Sequence, residues 1–286
     1  MTELESFVEL VWQRGGELYR DLPWRNTHDP YEVLVSEVML QQTQVNRVAK
    51  YWERFLRTFP TVDALASASV SDVLEMWQGL GYNRRALALK RAADMCSQSH
   101  GGRLPETYEE LIALPGIGPA TAAGVMAFAY GKPGVYLETN VRAVFIHEFF
   151  PDEEKVSDKQ LEPLVRAACP NEDAPSERGV RAWYYALLDY GAYLKQIGVN
   201  PTRRSSHYAR QSAFEGSRRQ KRAWIVRRVL AEPEGVAASA VYRELNRDEQ
   251  RAGRDCVDRV IFDSIVDDLV REGFFKCEDK VLFPSA

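Results

Sequence analysis

Three short stretches hold residues suited to chemistry. In SEVMLQQTQV (36–45), Glu37 has Val33, Leu34, Val38 and Leu40 around it at helical spacing. An apolar setting disfavours ionisation and raises a carboxyl pKa, as a proton donor at neutral pH requires. By itself, such a glutamate is as readily a cap or an ion-pair partner at a helix surface. In VYLETNVRAVF (135–145), Glu138 is the only acid, set between Leu137 and the polar pair Thr139 and Asn140. About twenty residues earlier, LPGIGPATAAGV reads as the turn and second helix of a tight hairpin. Gly116 and Gly118 allow positive φ and close approach of another backbone, and Pro119 suits a first helical turn. Backbone N–H groups at such a helix start carry the positive end of the dipole outward and can hold a phosphate. The alternative is a tight interhelical turn with no ligand.

The elements that position these residues are mostly helical. From residue 1 to about 195 the apolar positions recur at helical spacing, beginning with Leu4, Phe7, Val8, Val11 and Trp12, and predict about ten helices. Short turn signals separate them: Asp29-Pro30, Gly79-Leu80-Gly81, Gly101-Gly102 and Pro115-Gly116. Residues 196–217 are polar and aperiodic, a loop or linker. Beyond it, helices are expected near 218–231, 236–246 and 255–272, the last closed by Gly273. Two short strands, FFKC and VLF, then flank a tight turn. The pattern for 218–286 resembles a winged helix, a fold that often reads DNA with its third helix. Here that helix carries Asp255, Asp258, Asp263, Asp267, Asp268 and Glu272, which phosphates repel. The expected DNA contact is therefore the first helix, with Arg218, Arg219, Lys221 and Arg222.

The net charge of −4 does not announce a nucleic-acid binder, but its distribution is uneven. Between Lys195 and Arg228 stand ten bases and one acid, Glu215. Such a block fits either a polyanion site or a solvated helix face with its loop. No apolar run reaches membrane-spanning length. The acidic start MTELESFVEL is unlike a secretory signal. Cys96, Cys169, Cys256 and Cys277 form no C-x-x-C or metal-ligand pair and suit four free thiols in a reducing cytoplasm.

The hairpin followed by a carboxylate resembles the helix-hairpin-helix DNA glycosylase superfamily. LPWR (22–25), SEVMLQQTQV and GLGYNRRA (79–86) sharpen this to a likeness with the A/G-specific adenine glycosylases of the MutY type, over about residues 1–195. The resemblance implies an all-α glycosylase domain (1–195), a basic loop (196–217) and a small winged-helix-like domain (218–286). It implies a base-excision enzyme that flips a nucleotide out of the duplex and breaks its glycosidic bond. Glu37 matches the acid that protonates the leaving purine. Glu138 stands where the family has an Asp that stabilises the oxocarbenium-like sugar. Its extra methylene displaces the carboxylate by about 1 Å, enough to matter to rate. Asn140 matches an Asn that orients this arrangement. Position 120, a Schiff-base lysine in bifunctional relatives and often Ser or Tyr in adenine-specific ones, is Ala120, which implies a monofunctional enzyme.

By the same likeness, Gln42 and Tyr82 wedge into the duplex, Thr43 lies with them in the QQT motif on the substrate side, and Arg25 with Trp24 walls the pocket. Leu114, Gly116, Ile117 and Gly118 grip the DNA backbone, and Arg84 and Arg85 contact phosphate. The family's four-cysteine iron–sulfur loop follows YYALLDYGAYL; here the same place reads KQIGVNPTRRSSHYARQSAFEGSRR, without cysteine. No Cys-held cluster is expected there, and Arg203, Arg204, His207 and Arg210 are expected to meet the DNA instead. Hairpin carbonyls could hold a monovalent cation, although no side-chain pattern demands a metal. The C-terminal hydrolase-like domain that reads 8-oxoguanine in full-length relatives has no counterpart in this sequence. The expected partner is duplex DNA with a mismatch or lesion, bound by a monomer at the cytoplasmic nucleoid, with no membrane. Adenine opposite 8-oxoguanine or guanine is the expected target. Thymine, uracil or a modified base is the alternative, and a catalytically silent lesion binder the other.

Overall fold

The computed structural model describes residues 2–209 and 213–285. Among them the helices are α1 (Glu3–Glu17), α2 (Pro30–Leu40), α3 (Val45–Thr58), α4 (Val62–Ser67), α5 (Val70–Trp77), α6 (Arg84–Ser99) and α7 (Tyr108–Ala113). They continue with α8 (Pro119–Phe128), α9 (Thr139–Phe149), α10 (Asp158–Ala168) and α11 (Val180–Gln196), then α12 (Arg218–Leu230), α13 (Ala238–Arg251) and α14 (Arg259–Glu272). The strands are β1 (Val236–Ala237), β2 (Phe275–Glu278) and β3 (Val281–Pro284). Among the described residues, no helix is long and apolar enough to cross a membrane.

The chain divides into two compact units. One joins Met1–Glu37 to Leu104–Arg210; the other joins Val38–Arg103 to Gln211–Ala286. The sequence reading instead cut the chain at 195. Helical periodicity tells which face of a helix is buried but not which other helix buries it, so a segment that leaves one unit and returns is invisible to it.

In the first unit α11 is the central helix. Trp183, Tyr184 and Leu187 are wholly buried, and α1, α8 and α9 pack against it. Two glycines set how closely they pack. A Cβ at Gly15 would overlap Ala186, and one at Gly191 would overlap the Asn140 backbone carbonyl, so α1 and α9 reach α11 at near-backbone distance. Phe7 sits edge-on or tilted to Phe145, Phe149 and Trp183, sealing the α1–α9–α11 junction. Helix α1 starts with a capping box between Thr2 and Glu5, which satisfies two end N–H groups.

In the second unit α3 to α6 enclose Phe55, Leu65, Leu74 and Trp77. The C-terminal segment adds three helices and an antiparallel sheet of order β1-β3-β2. The turn between β2 and β3 holds Asp279 and Lys280 at φ +47° and +65°, the twist a two-residue hairpin favours. Gly273 ends α14 at φ +88°. The third strand, β1, pairs Val236 with Leu282 and Ala237 with Val281, where the sequence reading began a helix. Two residues are too few to show a strand's alternation.

The basic first helix of this segment was expected on DNA; the structure pairs its cations within the protein. Arg218 binds Asp268 at 2.6 Å, Arg222 binds Glu272 at 2.5 Å, and Lys221 binds the buried Glu249 at 3.3 Å. Asp268 and Glu272 of α14 thus answer Arg218 and Arg222 of α12, while Glu249 of α13 takes Lys221.

Candidate active site

Glu37 lies near the middle of α2 and, among the described residues, its Oε2 accepts a hydrogen bond from Tyr136 Oη at 3.1 Å. Helix α8 passes so close that a Cβ at Gly124 would overlap the same oxygen. Phe128, edge-on to Tyr136 and stacked on Tyr185, extends this apolar wall. Removal from water, and secondarily the charge of Glu138, pushes the Glu37 carboxyl up to about 8, against the smaller pull of the Tyr136 bond. Glu37 is therefore mostly protonated at neutral pH.

Glu138 is the N-cap of α9, with its side chain accepting from Thr139 N at 2.9 Å. An acid at a helix start meets the positive end of the dipole. Its charge reaches Glu37, Tyr136, Arg142 and Lys195, so the two glutamates share one electrostatic neighbourhood. Asn140, the second residue of α9, accepts from Lys195 Nζ at 2.9 Å. That bond fixes its carbonyl oxygen and leaves the amide NH₂ turned the other way. The segment before Glu138 is tied down by Tyr184, which accepts from Tyr136 N at 3.2 Å and donates to Gly134 O.

Arg25 is buried and held bidentate by Asp189, at 2.7 Å through each Nη, with its guanidinium 4.3 Å from the Tyr185 ring. Asp189, 2% exposed, also accepts from Arg20. Arg25 was expected to wall a pocket, and it does stand beside the Tyr185 wall, but as a clamped structural cation. Arg181 locks the same loop to the end of α8 through the carbonyls of Arg25, Thr27 and Phe128. An open groove of about 1090 Å³ runs along α1 and α11, lined by Trp12, Tyr19, Arg25, His28, Arg178 and Tyr185 among others; neither glutamate lines it.

The hairpin joins α7 to α8. Gly116 takes φ +75°, as the turn requires. Gly118 was expected to exploit positive φ; it is instead extended, at φ −88°, and caps α8 without a side-chain bond. Nothing lies within 4 Å of where its Cβ would be, so the helix start is open. Leu114 and Ile117 are buried and anchor the turn, which leaves backbone groups to face outward. Ala120, in the first turn of α8, is half-buried.

In the second unit Gln42 and Tyr82 share an unusual feature. Their φ angles are +55° and +49°, left-handed values that only Asp279 and Lys280 also take among described non-glycine residues. Such strain persists where surrounding structure enforces it and is common at functional sites. Tyr82 receives a hydrogen bond from Arg219 and has Arg85 and Arg219 at 5.7 and 5.4 Å from its ring. Arg85 and Thr43 are engaged with each other and with the backbone. Arg85 donates to the carbonyls of Val38, Met39 and Gly81 and to Thr43 Oγ1, capping the end of α2, and burial lowers its pKa to about 10. Thr43 is that cap's partner and bonds Leu80 O as well. Arg84 is likewise engaged, gripping Glu272 with two nitrogens, though its side chain stays 70% exposed.

The loop after α11 does not fit an iron–sulfur cluster. It contains no cysteine, and its described part is tied down by hydrogen bonds. Arg204 donates to the carbonyls of Phe150, Pro151 and Glu153 at the end of α9, and Ser205 bridges to Val156. Arg204, expected on DNA, is engaged in these helix-end bonds. His207 lies 3.5 Å from Asp158, which also holds Arg142. Arg203 is exposed, and Arg210 lies outside the described residues. Among described residues, no group of three or more His, Cys, Asp or Glu is placed to hold a metal.

Sequence reasoning missed Tyr136, Gly124, Lys195 and Asp189. For Asp189 a signal existed: it is the lone acid in the apolar run YYALLDYGAYL, the same pattern that marked Glu138. The others reveal themselves only through partners distant in the chain.

Residues 35–170 match the profile described as HhH-GPD superfamily base excision DNA repair protein. The chain is 45% identical over 136 residues to an adenine DNA glycosylase of Mycobacterium tuberculosis, covering 47% of this chain and 44% of that one. It is 35% identical over 175 residues to an adenine DNA glycosylase of Buchnera aphidicola, covering 61% and 48%. It thus spans about half the length of these relatives. Among solved structures it is similar to a thermostable thymine-DNA glycosylase, with TM-score 0.58 and 26% identity over 66% of this chain and 86% of the other. Residues 35–170, with the glycine hairpin and both glutamates inside that span, carry the HhH-GPD superfamily base excision DNA repair domain.

Proposed function

We propose that this protein is a monofunctional DNA glycosylase that hydrolyses the glycosidic bond of adenine mispaired with 8-oxoguanine or guanine. The observation that carries this reading is Glu37, held protonated near neutral pH within reach of the charge of Glu138. The protonated Glu37 gives its proton to a ring nitrogen of the extruded purine. The C1′–N bond breaks with its electron pair leaving on the base. Negative charge at Glu138 stabilises the cation left on the sugar, and water adds to C1′, releasing one proton. A positioned acid contributes about 10²–10⁴-fold, and preorganised charge at the cation is of comparable size.

The open N-terminus of α8 and the hairpin backbone suit a DNA phosphate, and the strained Gln42 and Tyr82 suit the side chains that enter the duplex. Arg203 is the remaining basic-loop candidate for phosphate contact. The residues invoked need no metal or redox group, and the loop without cysteine supplies no cluster ligand. A lone chain on mismatched duplex DNA, at the cytoplasmic nucleoid, is the working state this reading implies.

Adenine is preferred to other bases because relatives 35–45% identical are adenine DNA glycosylases. The second reading, thymine or uracil opposite guanine, is favoured by the likeness to a thymine-DNA glycosylase and by Ala120 and Glu138, which depart from the adenine-specific pattern. Duplexes carrying A, T or U opposite G and 8-oxoguanine, incubated with the protein and then treated with alkali, separate the two. Strand breaks on the A duplexes are expected. Breaks only on T or U would move the assignment, and tight mismatch binding with no breaks would leave a lesion binder. Borohydride should trap no covalent complex at position 120, because Ala120 offers no amine.

A further inference from the structure

We infer that Tyr136 is a positioning residue that fixes which oxygen of Glu37 carries the transferable proton; this rests on the reading of Glu37 as the acid. Tyr136 is buried, 3% exposed, and among the described residues its hydroxyl bonds Glu37 Oε2 at 3.1 Å. The rings of Phe128 and Tyr184 stand edge-on to it, and Gly124 of α8 lies against its edge. The contact has two protonation patterns. If Glu37 donated from Oε2, the tyrosine hydrogen would be left without an acceptor in an apolar box, at a cost of about 1–3 kcal/mol. Tyr136 donates to Oε2, so its own hydrogen is satisfied and the acid proton is left on Oε1, the oxygen free to give it to a departing base. Gly124 enforces the choice, because its missing Cβ is what admits Oε2 to this niche. Burial and both carboxylates hold the Tyr136 hydroxyl well above its ordinary range, so it keeps its own proton.

The groups around Glu37 are few. Tyr136 precedes α9, Glu138 caps α9, Tyr185 on α11 feels the Glu37 charge, and α8 presents the uncharged Gly124. Of these, Tyr136 alone is shown donating a hydrogen bond to the carboxyl. A donor to a carboxylate favours its charged form, so removing it raises the carboxyl pKa.

The test is Tyr136→Phe, which keeps the ring. Two readouts are taken: the pH dependence of single-turnover base removal, and the titration of ¹³C-labelled glutamate at Glu37, assigned with Glu37→Gln. Both midpoints are expected to rise by about one pH unit, with the rate below the midpoint reduced about tenfold because the proton is no longer confined to Oε1. A titration midpoint equal to wild type overturns the inference, as does a rate lowered equally at every pH. Should the wild-type protein remove no base, the assignment as a glycosylase fails, and the titration still decides whether Tyr136 governs the Glu37 proton.

Discussion

Glu37→Gln abolishes base removal and leaves duplex binding intact. Glutamine has the same shape, its carbonyl oxygen accepts from Tyr136 as Oε2 does, and it has no proton to give the departing base. The expected loss is about 10²–10⁴-fold in single-turnover rate. Stability separates this from misfolding. The folded carboxyl titrates near 8 against an ordinary value of 4.5, so across that range the folded state keeps a proton the unfolded chain has released. Stability then falls as pH rises from about 4.5 to about 8, by on the order of 5 kcal/mol. Glutamine carries no such penalty. The melting temperature of Glu37→Gln should match wild type in mild acid and exceed it at about pH 9, as differential scanning calorimetry would register. A variant that melts lower at both pH values would have lost activity through its fold.

Glu138→Gln has the second-largest effect, through two routes with separate signatures. Removing the negative charge beside the sugar cation slows the reaction about 10²–10³-fold. It also removes a cause of the raised Glu37 pKa, so the alkaline fall in rate moves to lower pH. A pH profile of the residual activity reads both. A slowed reaction with an unmoved alkaline limb would place Glu138 away from Glu37, and an undiminished rate would remove it from the chemistry. Glutamine still accepts from Thr139 N, so the start of α9 survives the change.

Much of the fold was legible because local rules and tertiary packing agree. Apolar spacing marked α1, Gly273 marked the end of α14, and the turn between FFKC and VLF marked the β2–β3 hairpin. The partition into units was not legible, since no local signal says that α3 to α6 and α12 to α14 fall in one unit. The site divides the same way. Glu138 was visible as the lone acid of its stretch, and Glu37 through the likeness carried by SEVMLQQTQV. Tyr136 and Glu37 are 99 positions apart, and Arg25 and Asp189 are 164 apart; neither pairing leaves a trace in local spacing. The arginines misled for a related reason. A count of bases treats each as free, yet Arg85 and Arg204 are spent on carbonyls at helix ends, and Arg218 and Arg222 on the acids of α14. Buried guanidinium groups are common at helix C-termini because the last carbonyls need donors.

The central claim is that Glu37 delivers the proton that frees the base. Its most direct test is the single-turnover rate of adenine removal by the wild-type protein from about pH 6 to about pH 10. The rate should be level up to about 8, where the Glu37 carboxyl releases its proton, and then fall about tenfold for each further pH unit. A rate that climbs through that range would mean that the essential group works as a base, and Glu37 could not be the acid.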